Sequence, residues 1–263
     1  MTDRPAFLQR TVEVVEHVPL AERTYRLRFA CPELAQRLKP GQFLMLRIPG
    51  TTDPLLGRPF AYYDTTHDGA VDVVYLVIGK MTTRLAEMRA GERLEVWGPL
   101  GNGFVLFDPP TPVVLVAGGI GQTPFLAYAK ALLARGCPRV TLYYGVRRGS
   151  LAAGVSDFEA AGVAVRLSSD DGTLGERGYV TDRLSRESPP GVLVGCGPEP
   201  MLHALRRLAL RWQRECYLSL ETPMACGVGI CYSCVTKVKT AQGWDYRRVC
   251  VEGPVFRADE LAD

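Results

Sequence analysis

Cys226-Gly-Val-Gly-Ile-Cys231-Tyr-Ser-Cys234, then fifteen residues, then Cys250: this stretch decides how the rest of the 263-residue chain is read. Three thiols in a C-x4-C-x2-C run with a distant fourth have the ligand spacing of a plant-type [2Fe–2S] centre. Gly227 and Gly229 support that reading. A loop that wraps a cluster aims several backbone N–H groups at sulfur, and glycine reaches the φ values this needs without strain. Val235 to Val238 and Tyr246 to Val249 read as hairpin strands that return the fourth ligand, with Thr240 to Gly243 turning between them.

Three other uses of four cysteines compete. A disulfide pair needs an oxidising compartment, which nothing in the chain suggests. Structural zinc usually comes as paired Cys-x-x-Cys knuckles, and only one is present. Buried thiols used as apolar filler would not need two glycines between them. A one-electron centre also needs a donor and an acceptor, so other parts of the chain are expected to hold at least one.

Residues 1–108 read as a small antiparallel barrel. Six strand-like runs, Thr11–Val18, Thr24–Phe29, Gln42–Ile48, Phe60–Asp64, Val71–Ile78 and Arg93–Trp97, are separated by turns at Lys39-Pro-Gly, Pro49-Gly, His67-Asp-Gly and Ala90-Gly. A single helix, about Thr83 to Arg89, interrupts them and stops at Gly91. Arg58-Pro59-Phe60-Ala61 opens a strand, and Gly79-Lys80-Met81-Thr82-Thr83 leads into the helix. With Thr82 or Thr83 as N-cap, the helix directs free N–H groups and the positive end of its dipole outward. Arg58 adds a charge-assisted arm. A phosphate held from two sides suits the pyrophosphate of a flavin nucleotide. On these residues alone, a surface arginine and an ordinary cap explain the pattern equally well.

Asp108-Pro-Pro-Thr-Pro112 is a joint, after which the periodicity changes. In residues 109–217 short apolar runs (Val113–Ala117, Val140–Tyr144, Val163–Leu167, Gly191–Val194, Tyr217–Leu220) alternate with helical ones (Phe125–Leu133, Met201–Trp212). That alternation predicts a doubly wound parallel sheet, α/β in class. Its first strand runs into Gly118-Gly119-Ile120-Gly121-Gln122-Thr123-Pro124, with Thr123 as N-cap, Pro124 as N1 and Gly136 as the stop. A second strand-to-helix junction, Cys196-Gly197-Pro198-Glu199-Pro200-Met201, matches it. Ligands of such sheets bind at the carboxyl ends of the strands. Neither junction is the G-x-G-x-x-G fingerprint. Residues 218–263 form the small C-terminal cluster domain.

Composition bounds the alternatives. Hydrophobic residues make up 47% of the chain and charged residues 22%, as in ordinary globular proteins. Thirty-one basic and 28 acidic residues are interspersed, giving a net charge of +3 without a basic block, which argues against a nucleic-acid partner. No apolar run is long enough to cross a bilayer, and Met1 to Phe7 carries no signal core. The expected location is the cytoplasm, where Cys31, Cys137 and Cys216 serve as small apolar filler.

Together the three parts resemble the ferredoxin reductase superfamily. Within it the chain is similar to the electron-transfer subunits of NAD-linked, heteromeric dihydroorotate dehydrogenases. The most specific matches are Gly98-Pro-Leu-Gly-Asn-Gly-Phe104, Met224 to Cys231, and Val249-Cys-Val-Glu-Gly-Pro-Val-Phe256. The resemblance implies that Arg58, Pro59, Phe60, Ala61, Tyr75, Leu76, Val77, Met81 and Thr82 line FAD. It implies that Gly118, Gly119, Gly121, Gln122, Thr123, Cys196, Gly197, Pro198 and Met201 line NAD, with Cys196 near the nicotinamide. Cys226, Cys231, Cys234 and Cys250 would hold the cluster. Asp170, in the loop after the third sheet strand, would read the adenosine ribose and favour NAD over NADP, with Arg147 and Arg148 as opposing features. Ala61, Met81 and Leu76 depart from the family, which usually has a hydroxyl residue, a glycine and often a basic residue there.

The implied activity is the passage of electrons from an FMN-containing catalytic subunit, which oxidises dihydroorotate, through [2Fe–2S] and FAD to NAD⁺, in a heterotetramer. The alternatives are an NAD(P)H-oxidising diaphorase subunit of a hydrogenase or ferredoxin-linked transhydrogenase and, in another class, a flavin and iron–sulfur redox sensor without turnover.

Overall fold

The computed structural model describes residues 7–262; the N-terminal stretch examined for a signal core lies, apart from Phe7, outside the described residues. Six strands close the barrel: β1 (Leu8–Ala21), β2 (Thr24–Ala30), β3 (Phe43–Arg47), β4 (Arg58–Thr65), β5 (Ala70–Leu76) and β6 (Arg93–Leu100), in the order β1-β2-β5-β4-β3-β6. Every pairing is antiparallel. Alternate side chains point inward, so Val12, Val14, Leu27, Phe29, Val71, Val73, Leu94 and Val96 form one buried core.

Two helices accompany the barrel, where one was expected. The extra one, α1 (Pro32–Ala35), is a single turn with proline at its start. The other, α2 (Lys80–Glu87), begins three residues before the expected start, because Gly79 and not a threonine occupies the N-cap. Thr82 lies inside the first turn and reaches back, its Oγ1 accepting from the N–H groups of Ile78 at 2.9 Å and Gly79 at 3.0 Å.

The second part is a seven-stranded sheet. Its strands are β7 (Val113–Gly118), β8 (Val140–Val146), β9 (Ala164–Ser169), β10 (Glu176–Arg177), β11 (Val192–Cys196) and β12 (Cys216–Ser219), with β13 (Val235–Thr240) and β14 (Gly243–Arg248) forming a separate hairpin before β15 (Val255–Arg257). The order β10-β9-β8-β7-β11-β12-β15 is parallel except for the last pair. The helices α3 (Phe125–Ala134), α4 (Val155–Ala160), α5 (Val180–Glu187) and α6 (Glu199–Trp212) complete it. Two apolar layers cover its faces, one with Leu115, Phe125, Tyr128 and Leu142, the other with Val114, Val116, Leu193 and Leu205.

Thr123 is not an N-cap. Gly119–Gln122 form a 3-10 turn that runs straight into α3, so Thr123 is already helical (φ −59°, ψ −40°) and Pro124 stands at the cap. Gly136 ends the helix as expected, in the left-handed region.

The cluster segment does not stand apart. β12 extends to Ser219, so a cut between 217 and 218 falls inside a strand. β15 then pairs antiparallel with β12, Tyr217 opposite Arg257 and Ser219 opposite Val255. Arg206 of α6 binds the tail, donating to the carbonyls of Ala258 at 2.9 Å and Leu261 at 2.6 Å.

Candidate functional site: three adjoining cofactor surfaces

The cysteine loop presents sulfur to a ring of backbone donors. Gly227 and Gly229 have φ of +72° and +83°, values that side chains rarely adopt, and these turns bring the N–H groups of Val228 and Ile230 to 3.4 Å from Cys226 Sγ. The Cys250 N–H lies 3.5 Å from Cys234 Sγ. Cys234 and Cys250 are buried, Cys226 is half-buried and Cys231 is exposed. Ser233, within 3.2 Å of the Cys231 sulfur, is the main cause that lowers this thiol to about 6. Burial, and then Cys234, push Cys250 up.

The four thiols lie on one loop and at the end of the hairpin that follows it, and Cys231 and Cys250 each feel a neighbouring thiol, Cys226 and Cys234 respectively. Among the described residues no three His, Cys, Asp or Glu converge as a cage for one ion. A [2Fe–2S] cluster takes four cysteine thiolates, and the N–H groups aimed at the sulfurs of Cys226 and Cys234 suit it.

The loop is seated on the barrel by the expected Gly98–Phe104 motif. Asn102 Nδ2 donates to the carbonyls of Glu252 (3.1 Å) and Val255 (2.8 Å), while its Oδ1 accepts from the Val255 N–H at 3.0 Å. The Asn102 N–H donates to the Gly253 carbonyl at 2.6 Å. The two family-specific motifs, Gly98–Phe104 and Val249–Phe256, therefore meet each other. Gly227 packs on Met45 and Leu100, and Trp97 Nε1 donates to the Cys226 carbonyl at 3.1 Å.

On the barrel, the loop before Arg58 is strapped to α2 by the Lys80–Asp53 ion pair at 2.7 Å and by Arg84 on Thr51. Arg58 is exposed, its guanidinium turned back onto the carbonyls of Leu56 (2.9 Å) and Gly57 (3.1 Å). Gly79 faces open space, and Leu55, Leu56 and Ile78 are exposed. A helix N-terminus open to solvent suits an anionic group and exposed apolar side chains suit a flat ring, so a pyrophosphate-bearing ligand such as FAD fits. Phe60 is buried against the Tyr75 ring. Of the expected lining residues, Met81 is buried in the barrel core, and Tyr75 is buried with its hydroxyl donating to His17 Nε2 at 2.9 Å. The opposite ring nitrogen of His17 donates to the Met88 carbonyl, which fixes this tautomer. The side chains of Ala61, Leu76 and Val77 are half-buried.

In the sheet, β7 and β11 are neighbours, and the chain order reverses between them. Both glycine-bearing junctions leave this topological switch point, where open α/β sheets bind ligands. They touch: a side chain at Gly121 would meet the Cys196 carbonyl oxygen at 2.3 Å, and one at Gly118 would meet Pro198 and Met201. Cys196 is buried and its thiol is pushed up by that burial. Gln122 is fully buried, yet neither polar atom of its carboxamide has a partner. Such an orphaned amide is costly unless something else satisfies it, which fits a polar ligand at this junction. Of the two acids after β9, Asp171 is committed to Thr173, accepting from its N–H at 3.0 Å and its hydroxyl at 2.7 Å; Asp170 stands exposed. Arg148 is held at 2.9 Å by Glu22 of the barrel, and Arg147 is exposed.

Sequence reasoning missed Trp97 as a contact of the cluster loop and missed the arrangement of Asn102. The motif around Asn102 was visible; what it touches was not.

Comparisons with known proteins agree with this geometry. Residues 11–104 match the oxidoreductase FAD-binding domain, and residues 221–262 match the iron-sulfur cluster binding domain of dihydroorotate dehydrogenase B. The dihydroorotate dehydrogenase B (NAD(+)) electron transfer subunit of Bacillus caldolyticus is 40% identical, covering 92% of this chain and 94% of that protein. The subunit of the same description from Listeria monocytogenes serotype 4b is 36% identical, covering 97% and 99%. Among solved structures, that of an NADH-dependent reduced ferredoxin-NADP oxidoreductase superposes with a TM-score of 0.85 at 28% identity, over 95% of this chain and 89% of that one. With barrel, sheet and cysteine loop all covered by relatives of this kind, the chain belongs to the family of dihydroorotate dehydrogenase B (NAD(+)) electron transfer subunits.

Proposed function

We propose that this chain carries electrons between a partner subunit, which holds FMN and oxidises dihydroorotate, and NAD⁺, in pyrimidine (UMP) biosynthesis. The observation that carries the reading is the double attachment of the cysteine loop, to the barrel through Asn102 and to the nicotinamide sheet through β15. Three cofactor surfaces then adjoin in one chain.

Cys226, Cys231, Cys234 and Cys250 hold the cluster, with the Val228 and Ile230 N–H groups supporting the Cys226 sulfur. Arg58 and the first turn of α2 hold the FAD pyrophosphate, and Phe60 backs the ring. Gly118, Gly119, Gly121 and Gln122 receive the nicotinamide nucleotide with Cys196 to Met201, and Asp170 takes its ribose. When bound, FAD exchanges hydride with nicotinamide and single electrons with the cluster, so this chain needs no side-chain acid or base for that work. The Cys196 thiol, kept protonated by burial, is a neutral neighbour for the nicotinamide.

The assembly is a heterotetramer in the cytoplasm, where the thiols stay reduced. No helix among the described residues is long and apolar enough to cross a membrane. The purified chain should contain two iron and two acid-labile sulfide per FAD. It should reduce artificial acceptors with NADH, and should oxidise dihydroorotate only with its partner. Zinc in place of iron, or dihydroorotate oxidation by the chain alone, would refute this.

The superposition with the ferredoxin-NADP oxidoreductase favours a second reading, a ferredoxin-linked transhydrogenase subunit. NADH-dependent reduction of ferredoxin at the rate of dye reduction would select it.

A further inference from the structure

Trp97 stands between the cysteine loop and the flavin motif. Its indole Nε1 donates to the carbonyl of Cys226 at 3.1 Å. The far edge of the same ring lies on Gly57, where an added methyl group would come within 2.3 Å of Cη2 and 3.1 Å of Cζ2. Gly57 is buried and immediately precedes Arg58. The register supports this bridge from below: Met45 on β3 is paired with Trp97 on one side and with Pro59 on the other, and its thioether packs on Gly227. One side chain therefore touches a cluster-ligand residue at one end and the residue before the flavin strand at the other.

We propose that Trp97 is the positioning residue that fixes the Cys226 end of the cluster against the flavin side of the barrel, and so sets the rate of single-electron passage between the two cofactors. The inference rests on the reading that the loop holds [2Fe–2S] and the barrel FAD. Driven by NADH, each passage would oxidise the reduced flavin by one electron and convert one ferric ion of the cluster to ferrous; in the direction of dihydroorotate oxidation the same electron would run from ferrous ion to flavin. Trp97 keeps its own electrons and its indole proton throughout. Its donated hydrogen bond also polarises the Cys226 peptide toward the positive, which stabilises the reduced cluster.

The test compares wild type with Trp97→Phe, which keeps a ring and deletes the N–H, and with Gly57→Ala, which displaces the indole from its other end. Freeze-quenched EPR after mixing with NADH follows cluster reduction relative to flavin reduction in the same sample. Both variants should slow the cluster step about tenfold, equivalent to 1.4 kcal/mol in the barrier. Trp97→Phe should also lower the cluster midpoint potential and alter its EPR g values. Wild-type rate and potential in both variants would overturn the inference. Should the variants lose a cofactor, indole ¹⁵N–H NMR of the wild type decides. The Trp97 signal should be broadened away in the iron protein and return when gallium replaces iron; a sharp, unshifted signal in both would overturn it. A wild type that holds neither iron nor FAD would instead refute the proposed function.

Discussion

Asn102 offers the most direct perturbation of the contact between barrel and cluster loop. Its side chain makes three hydrogen bonds to the backbone of residues 252 and 255. Asn102→Ala removes all three and leaves the Val255 N–H, in a residue only 6% exposed, without its acceptor. A net bond contributes about 0.5–1.5 kcal/mol, and a half-buried side chain belongs in the lower half of that range. The loss is then about 2 kcal/mol, or roughly thirtyfold in the local opening equilibrium. A protein with bound cofactors does not unfold in two states, so global denaturation is the wrong assay. Native-state hydrogen exchange reports local opening directly. Amides of residues 250–257 should exchange roughly thirtyfold faster, while those of β2 and β5, on the far side of the barrel, should not change. Chelator-driven bleaching of the cluster should accelerate in parallel. Exchange within twofold of wild type would show that apolar contacts, Gly227 on Met45 and Gly101 on Pro254, seat the loop without Asn102.

Arg58→Ala should weaken flavin retention by roughly 1.5–3 kcal/mol, the range for hydrogen bonds to charged groups, as read by equilibrium release of FAD; release of FMN alone would contradict the pyrophosphate assignment. Wild type should favour NADH over NADPH by about tenfold or more in kcat/KM, and Asp170→Arg should narrow that ratio. Equal use of both by wild type would remove Asp170 from the ribose. Glu187 is held below its ordinary 4.5 first by the Tyr143 hydroxyl, which donates to it, and then by Arg183. A carboxylate lowered by folding stabilises the fold above its unfolded value, and that contribution disappears as pH falls through the folded one. Tyr143→Phe should therefore cost about 1 kcal/mol at pH 7, reduced because Glu187 is over a third exposed, and less near pH 3. Equal losses in thermal unfolding at both pH values would refute the link.

What was legible beforehand depended on how local each signal is. Barrel strands announce themselves by alternation: Val12 and Val14 face in, Thr11 and Glu13 out. The two glycine junctions were visible because a strand runs straight into glycines and then a helix. The start of α2 was misplaced because threonine is the usual capping residue, while here Gly79 takes the cap and Thr82 supports it from within the turn. α5 was missed because only Val180, Thr181 and Leu184 of its eight residues are buried, too sparse a stripe to register as helical. β10, two residues long, carries no pattern at all. Tyr75 and Met81 could be placed on their elements, but the burial of both side chains in the barrel core could not be read locally, since the barrel's closure decides which side is interior. The Trp97 and Asn102 contacts join residues more than a hundred positions apart, and no local pattern encodes a partner at that distance.

β15 gives the sheet its last strand. Without it, β12 would be the boundary of a seven-membered arrangement reduced to six, and the backbone groups of Tyr217 to Ser219 would face water along an apolar edge. Such an edge invites pairing with another chain. A shortened protein ending at residue 220, intended as a plain flavin reductase, should therefore tend to associate through β12 even though barrel and nucleotide sheet are intact in sequence. The segment that carries the four cysteines is therefore followed at once by the strand that closes its neighbour's sheet, so metal site and sheet edge are built from one continuous piece of chain.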